Sequence, residues 1–298
     1  MIKYICLPSG GFNLFKYLGI LSVFHKNNLI DFDGIEGYYG VSAGGILSSI
    51  LCLNLDLNTI IKYFIERTWH KTYNMDKINI INYFNEKGIV DKPLFTKLIE
   101  PLFKSCDLDI NAITMKEFYE KTGKKLSLFA VNALNYELTE FNYATTPDIL
   151  LLDALYFTSC IPAVFKPYEY NDIFYFDGGF YTKSPVDLCL KNEGIEKDEI
   201  FAIDCDYNPY KQMPITKDDD FITFIYNIMV KMYINNLTNI VANDIPYLIH
   251  LNTVSYEKHT LIKITESRDV RNEIYLDGVR QGEEFVETLK PSDVDGDV

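Results

Sequence analysis

Apolar residues along this chain switch repeatedly between a two-residue and a three-to-four-residue spacing. Ile2 to Leu7 alternates and predicts a first strand, which stops at Pro8-Ser9-Gly10-Gly11. Leu14, Tyr17, Leu18, Leu21 and Phe24 then share one helical face. Tyr38, Tyr39 and Val41 are strand-type residues, and Ile46, Leu47, Ile50 and Leu51 are spaced like a buried helix face. Leu57, Ile60, Ile61, Phe64 and Ile65 mark an amphipathic helix. Residues 70 to 90 have no clear period and read as loop with short helical turns. Asp91-Lys92-Pro93 predicts a helix start with proline just inside, and 114–121 another helix.

Farther on, Lys125 to Ala133 and Glu137 to Tyr143 predict two strands joined by Leu134-Asn135-Tyr136. Pro147-Asp148 opens a helix to about Ser159. Tyr168 to Phe176 is strand-like, broken near Asn171-Asp172, and Ile200 to Asp204 is a compact strand. Phe221, Phe224, Ile225, Ile228 and Met232 define a long helix, Leu261 to Ile264 a last strand, and Tyr275, Val279, Gly282, Val286 and Leu289 a final helix. Strands alternating with helices predict an α/β fold with a mainly parallel or mixed sheet covered on both faces. No repeat or Pro/Gly/Ser-rich linker divides the chain, so a single domain over 1–290 is expected. Its motifs fall within 2–190, a C-terminal helical part spans 191–290, and the acidic tail 291–298 is expected to be disordered.

Composition narrows the function. A chain of 298 residues with 48% hydrophobic content is an ordinary globular protein. A net charge of −14 argues against a nucleic-acid partner and against electrostatic docking on an anionic membrane. Six scattered cysteines without Cys-x-x-Cys and four histidines without His-x-x-x-His predict no metal, no disulfide framework and a reducing compartment. No apolar leader precedes a cleavage site, and no apolar run is long enough to span a bilayer. The expectation is a cytoplasmic or intracellular protein without signal peptide, transmembrane segment or cofactor. Peripheral membrane contact and oligomeric state stay open.

The unusual residues sit at strand ends. Ser9-Gly10-Gly11 follows the first strand, Ser42 of GVSAG (40–44) the second, and Asp177-Gly178-Gly179 a later one. Gly-x-Ser-x-Gly occurs by accident in about one chain in ten of this length. Here, however, a strand precedes it and a helix follows, as a nucleophile elbow requires. Gly44 and Gly45 let the helix start pass close to the strand. If the three strands run parallel, their ends gather at one edge of the sheet. Ser42 then supplies a hydroxyl, Asp177 a base, and the backbone N–H groups of Gly10, Gly11 and Ala43 an oxyanion hole.

These segments together resemble the patatin-like phospholipase family. SGGFNLFKYLGIL (9–21), with Gly19, is similar to the family's oxyanion loop and helix, and GVSAG to its nucleophile elbow. DALYFTSCIPAVFKPYEYNDIFYFDGGFYTKSPV (153–186) resembles its Ser-x-x-x-Pro-x-x-Phe-x-Pro segment, here Ser159, Pro162 or Ala163, Phe165 and Pro167. That segment leads into Asp177-Gly178-Gly179 and then Pro185. Ser9, Asn13 and Leu14 depart from the usual Gly, Arg or Lys, and Gly of that loop. The resemblance implies a three-layer α/β/α fold, a Ser42–Asp177 dyad without histidine, and hydrolysis of a lipid or phospholipid ester of phospholipase A type.

Two other readings remain at this stage. In the Ser-acid-His order of α/β-hydrolases, His250 or His259 follows Asp177 correctly, although His250 reads as a core position and His259 as a solvated loop. Departures at Asn13 and Leu14 are also compatible with a fold of this family that binds or builds without turnover. An aspartate base raises a further requirement, because free Asp has a pKa near ~3.9 and only a dry site makes it basic enough.

Overall fold

The computed structural model describes residues 1–73, 85–182, 184–206, 215–217, 219, 221–236, 244–254 and 258–290. In chain order, β1 (Tyr4–Leu7) leads through a 3-10 turn (Gly11–Asn13) into α1 (Leu14–Lys26), and β2 (Gly37–Gly40) into α2 (Ala43–Leu51). Then come α3 (Leu57–Glu66), α4 (Trp69–Tyr73), α5 (Lys92–Lys104) and α6 (Met115–Thr122). The hairpin β3 (Lys125–Asn132) and β4 (Glu137–Phe141) precedes α7 (Leu151–Ser159), β5 (Glu169–Tyr170) and β6 (Ile173–Asp177). A 3-10 turn (Gly178–Phe180), α8 (Val186–Glu193), β7 (Ile200–Asp206) and α9 (Phe221–Asn236) follow. The last described elements are β8 (Tyr247–Asn252), α10 (Lys258–Glu266) and α11 (Arg268–Leu289).

Local chemistry sets several of these boundaries. Asp56 and Asp91 accept the N–H groups of Thr59 and Leu94, both at 2.9 Å, and so start α3 and α5. Thr114 and Glu117 form a reciprocal capping box for α6, which ends at Gly123 with φ 66°.

Eight strands form one sheet. Strands β3, β2, β1, β7 and β8 are parallel neighbours in that order. The pleat sends alternate residues to opposite faces. Ile5 and Leu7 join a large core shared with α1, α2, α3, α5, α6, α7 and α11. Tyr4 and Cys6 join a smaller core with Val186 and Cys189 of α8. Helices on both faces make the expected three-layer α/β/α architecture. The six cysteines form no disulfide.

Several expectations need correction. Residues 261–264 belong to α10, not to a strand, with Ile264 buried and Ile262 exposed. A short apolar run carries no reliable period, and packing decides its state. The last strand is instead β8, where Leu248, Ile249 and Leu251 are buried. Region 191–290 is therefore not only helical, since β7 and β8 complete the sheet. Helix α7 starts at Leu151, four residues after Pro147, and α8 has no counterpart in the sequence reading. The assumption that all three motif strands run parallel also fails, because β6 is antiparallel to β3. Most of the expected loop at 70–90, and the tail 291–298, lie outside the described residues.

The C-terminal helix braces the N-terminal motif. A Cβ on Gly19 of α1 would stand 2.3 Å from the Tyr275 carbonyl oxygen and 2.6 Å from the Val279 nitrogen of α11. The two backbones are thus in contact, which only glycine permits here. Arg271 of α11, 1% exposed, donates to the carbonyls of Ile65, Arg67, Ile264 and Thr265. It gathers the ends of α3 and α10 onto α11. Each buried carbonyl stripped of its donor costs about 1–3 kcal/mol. We predict that Arg271→Met lowers unfolding free energy in urea by at least about 3 kcal/mol. A loss below about 1 kcal/mol would show that the guanidinium is dispensable for this packing.

Candidate active site

Register explains how two distant motifs meet. Leu128 of β3 pairs with Gly40 of β2 on one flank and Phe141 of β4 on the other. Two residues on, Ala130 pairs with Thr139 of β4 and with Asp177 of β6. Strand β6 therefore occupies the same flank of β3 as β2, beyond the end of β2 and running towards it. The two strands meet end to end. The last residue of β6, Asp177, faces the turn that follows β2, which carries Ser42.

That turn is strained. Ser42 has φ 54° and ψ −123° and precedes the first residue of α2. Such a conformation costs a non-glycine residue about 1–3 kcal/mol and persists only where its surroundings impose it. The imposition is visible. A Cβ on Gly44 would stand 2.3 Å from the Leu7 carbonyl oxygen, and one on Gly40 would stand 2.6 Å from the Gly45 Cα. Both glycines of GVSAG are required by close backbone approach, which the sequence predicts for Gly44. Ile46 N–H bonds back to the Ser42 carbonyl at 3.0 Å.

Asp177 is 1% exposed and Ser42 5%. The carboxylate accepts Gly179 N–H at 2.7 Å and has the Ser42 hydroxyl as a neighbour. Burial pushes its pKa up to about 7, although both neighbours favour the charged form. Of the aromatic residues near it in sequence, Tyr175 is buried, whereas Phe174 and Tyr181 are exposed.

The glycine loop lies beside this pair. Gly11 has φ 51° and is exposed. The Gly10 carbonyl accepts both the backbone N–H of Asn13 at 2.9 Å and its side-chain Nδ2–H at 2.8 Å. In a trans peptide the carbonyl and the following N–H point in opposite directions. The Gly11 N–H is thus turned away from Asn13. Ala43, the first residue of α2, stands among the N–H groups that have no acceptor within their own helix. Asn13 Oδ1 in turn accepts Val254 N–H at 2.8 Å, and Lys16 Nζ donates to Asn252 O at 2.6 Å. The segment after β8 thereby pins the glycine loop. No sequence signal linked these positions, because the contacts join opposite ends of the chain.

The histidines fall elsewhere. His250 is on β8, with β7 and β1 between it and β2. Its side chain is 58% exposed, not in the core, and its Nδ1 lies 3.2 Å from Asp204 Oδ2. His259 belongs to α10 and not to a loop; its side chain lies outside the described residues. Among the described residues no cluster of His, Cys, Asp or Glu fits a metal ion, and no helix is long and apolar enough to cross a membrane.

Comparison with known proteins extends this geometry. The chain is 30% identical over 251 residues to "Probable lipid hydrolase 463L" of Invertebrate iridescent virus 6, covering 83% of this chain and 80% of that one. It is 27% identical over 194 residues to "Uncharacterized protein R571" of Acanthamoeba polyphaga mimivirus, covering 63% of this chain and 61% of that one. Among solved structures it superposes on VipD from Legionella pneumophila with a TM-score of 0.55 at 14% identity, covering 96% of this chain and 67% of that one, a likeness of fold alone. The profile of the family described as "Patatin-like phospholipase" matches residues 5–190, from β1 into α8 and through all three glycine motifs. On that match the chain belongs to the patatin-like phospholipase family.

Proposed function

We propose that this protein hydrolyses carboxylic esters of lipids, in the manner of a phospholipase A, through a Ser42–Asp177 dyad. The observation that carries the reading is the buried carboxylate of Asp177 beside the hydroxyl of Ser42, a residue on a strained strand-to-helix turn. Family membership and the lipid-hydrolase relative support a lipid ester as substrate. The separation of His250 from β2 favours a dyad over a Ser-His-Asp triad.

The chemistry runs in two steps. Asp177 takes the proton of Ser42 as Oγ attacks the ester carbonyl carbon. The oxyanion is stabilised by N–H groups of Gly10, Gly11 and Ala43, each such donor being worth about 2.7–4 kcal/mol of barrier. The tetrahedral species expels the alcohol, which leaves with the proton from Asp177. Water then attacks the acyl-enzyme with Asp177 again as base, and the fatty acid departs. A pKa of about 7 makes the aspartate a competent base at neutral pH, which a solvated carboxylate is not.

Hydrolysis of phosphatidylcholine, triacylglycerol and a short-chain ester by wild type and variants tests this. Ser42→Ala is expected to lose about 10³-fold or more in kcat/KM, and Asp177→Asn about 10²-fold or more. His250→Ala is expected to stay near wild type. Full activity in Ser42→Ala would remove the nucleophile assignment, and no hydrolysis of any ester by wild type would favour a binding role.

A second prediction concerns pH. Activity needs ionised Asp177, so kcat/KM should rise through about pH 7 and then level off. The sign for stability is opposite. The folded pKa lies above the unfolded one, so this group favours folding fully below ~pH 4 and loses that contribution as pH climbs to about 7. Asp177→Asn should therefore melt higher than wild type at pH 8 and alike at pH 4.5. An activity ramp centred near pH 4, or equal melting at pH 8, would contradict a raised carboxylate pKa.

A further inference from the structure

Three hydrogen bonds converge on the last turn of α7. The hydroxyl of Thr158, a fully buried residue, accepts the backbone N–H of Ser42 at 2.9 Å. The same hydroxyl donates its proton to the Phe129 carbonyl oxygen at 2.6 Å. Two residues on, the Cys160 carbonyl accepts the backbone N–H of Asp177 at 3.0 Å. One short segment thus holds the backbones of both Ser42 and Asp177.

Phe129 has a particular place in the register. Leu128 is the last residue of β3 to pair with β2, and Ala130 is the innermost one to pair with β6. Phe129 falls between these two ladders, opposite the point where the strands meet end to end. There Thr158 gives the Phe129 carbonyl a side-chain donor from α7. A buried threonine within a helix commonly returns its hydroxyl to its own helix's backbone. Thr158 instead joins two other elements. Its hydroxyl has one proton, which goes to Phe129, so towards Ser42 it acts as acceptor. The direction of both bonds is therefore fixed.

We propose that Thr158 is a positioning residue for catalysis, its hydroxyl locking the Ser42 turn to β3 so that Oγ is held in line with Asp177. The proposal rests on the reading of Ser42 and Asp177 as the reacting pair. Ser42 sits in a strained conformation, and its N–H bond to Thr158 is one of the contacts that keep it there. Without that acceptor the turn relaxes and Oγ moves. A displacement of about 1 Å at a reacting atom costs on the order of 10²-fold in rate.

Thr158 also packs. Its Cγ2 lies 3.2 Å from where a Cβ on Gly45 would stand, so its methyl faces α2. Substitutions separate the two roles. Thr158→Val keeps the packing and removes the hydroxyl, whereas Thr158→Ser keeps the hydroxyl and removes the methyl. The assay uses a short-chain ester, with rates normalised to folded protein by circular dichroism, alongside Ser42→Ala. The expected result for Thr158→Val is a 10- to 100-fold fall in kcat with KM within about twofold, while Thr158→Ser stays within about threefold of wild type. Should the valine variant fail to fold, Thr158→Ser against Thr158→Ala makes the same comparison with Cγ2 absent from both, with the same ratio expected.

A valine variant with kcat within threefold of wild type overturns the proposal. So does a serine variant as impaired as the valine one, because packing then explains the loss. Either result beside an inactive Ser42→Ala leaves the dyad standing. An active Ser42→Ala removes the dyad and the positioning role together.

Discussion

A carboxylate sealed from water at the meeting point of two strands is the constraint on which this molecule turns. Asp177 ends β6, Ser42 follows β2, and both strands lie along one flank of β3 from opposite directions. Head-on arrival does what parallel strands would do less directly. It aims the last side chain of one strand at the turn beyond the other. Burial then raises the basicity of Asp177 beside the Ser42 hydroxyl.

Such a site works against the fold that holds it. Keeping Asp177 ionised at pH 8 costs on the order of 4 kcal/mol relative to a solvated carboxylate. The Ser42 conformation adds about 1–3 kcal/mol. Against this, α1 and α11 pack backbone to backbone at Gly19, Arg271 ties three helices together, Asn13 fastens the glycine loop to Val254 after β8, and Lys16 fastens α1 to the end of β8. The C-terminal hundred residues, which carry none of the motifs, complete the sheet with β7 and β8 and steady the opposite edge of the site.

Much of this was legible in the sequence for a physical reason. A sharp strand-to-helix turn admits only small residues, so Gly40, Ser42 and Gly44 announced themselves. Amphipathic helices such as α3 announced themselves through their apolar period. What stayed hidden depends on contacts between residues distant in sequence. Direction is not written into a strand, and β6 proved antiparallel. Asn13 looked like a departure from the family pattern, yet its amide clamps the Gly10 carbonyl with the geometry of a loop brace. Thr158 carried no signal, since a buried threonine in a helix is unremarkable until its partners are known. Leu261 to Ile264 read as a strand because four apolar-rich residues do not reveal a period.

The central claim is that a distant aspartate makes this one serine nucleophilic. Covalent labelling with a fluorophosphonate, followed by mass mapping of the modified peptide, addresses it without any assumption about the lipid. The account predicts a single adduct on Ser42 in wild type, formed at least about 10²-fold more slowly in Asp177→Asn at pH 8. Labelling of another serine, or an Asp177→Asn variant that reacts at Ser42 as fast as wild type, would contradict it.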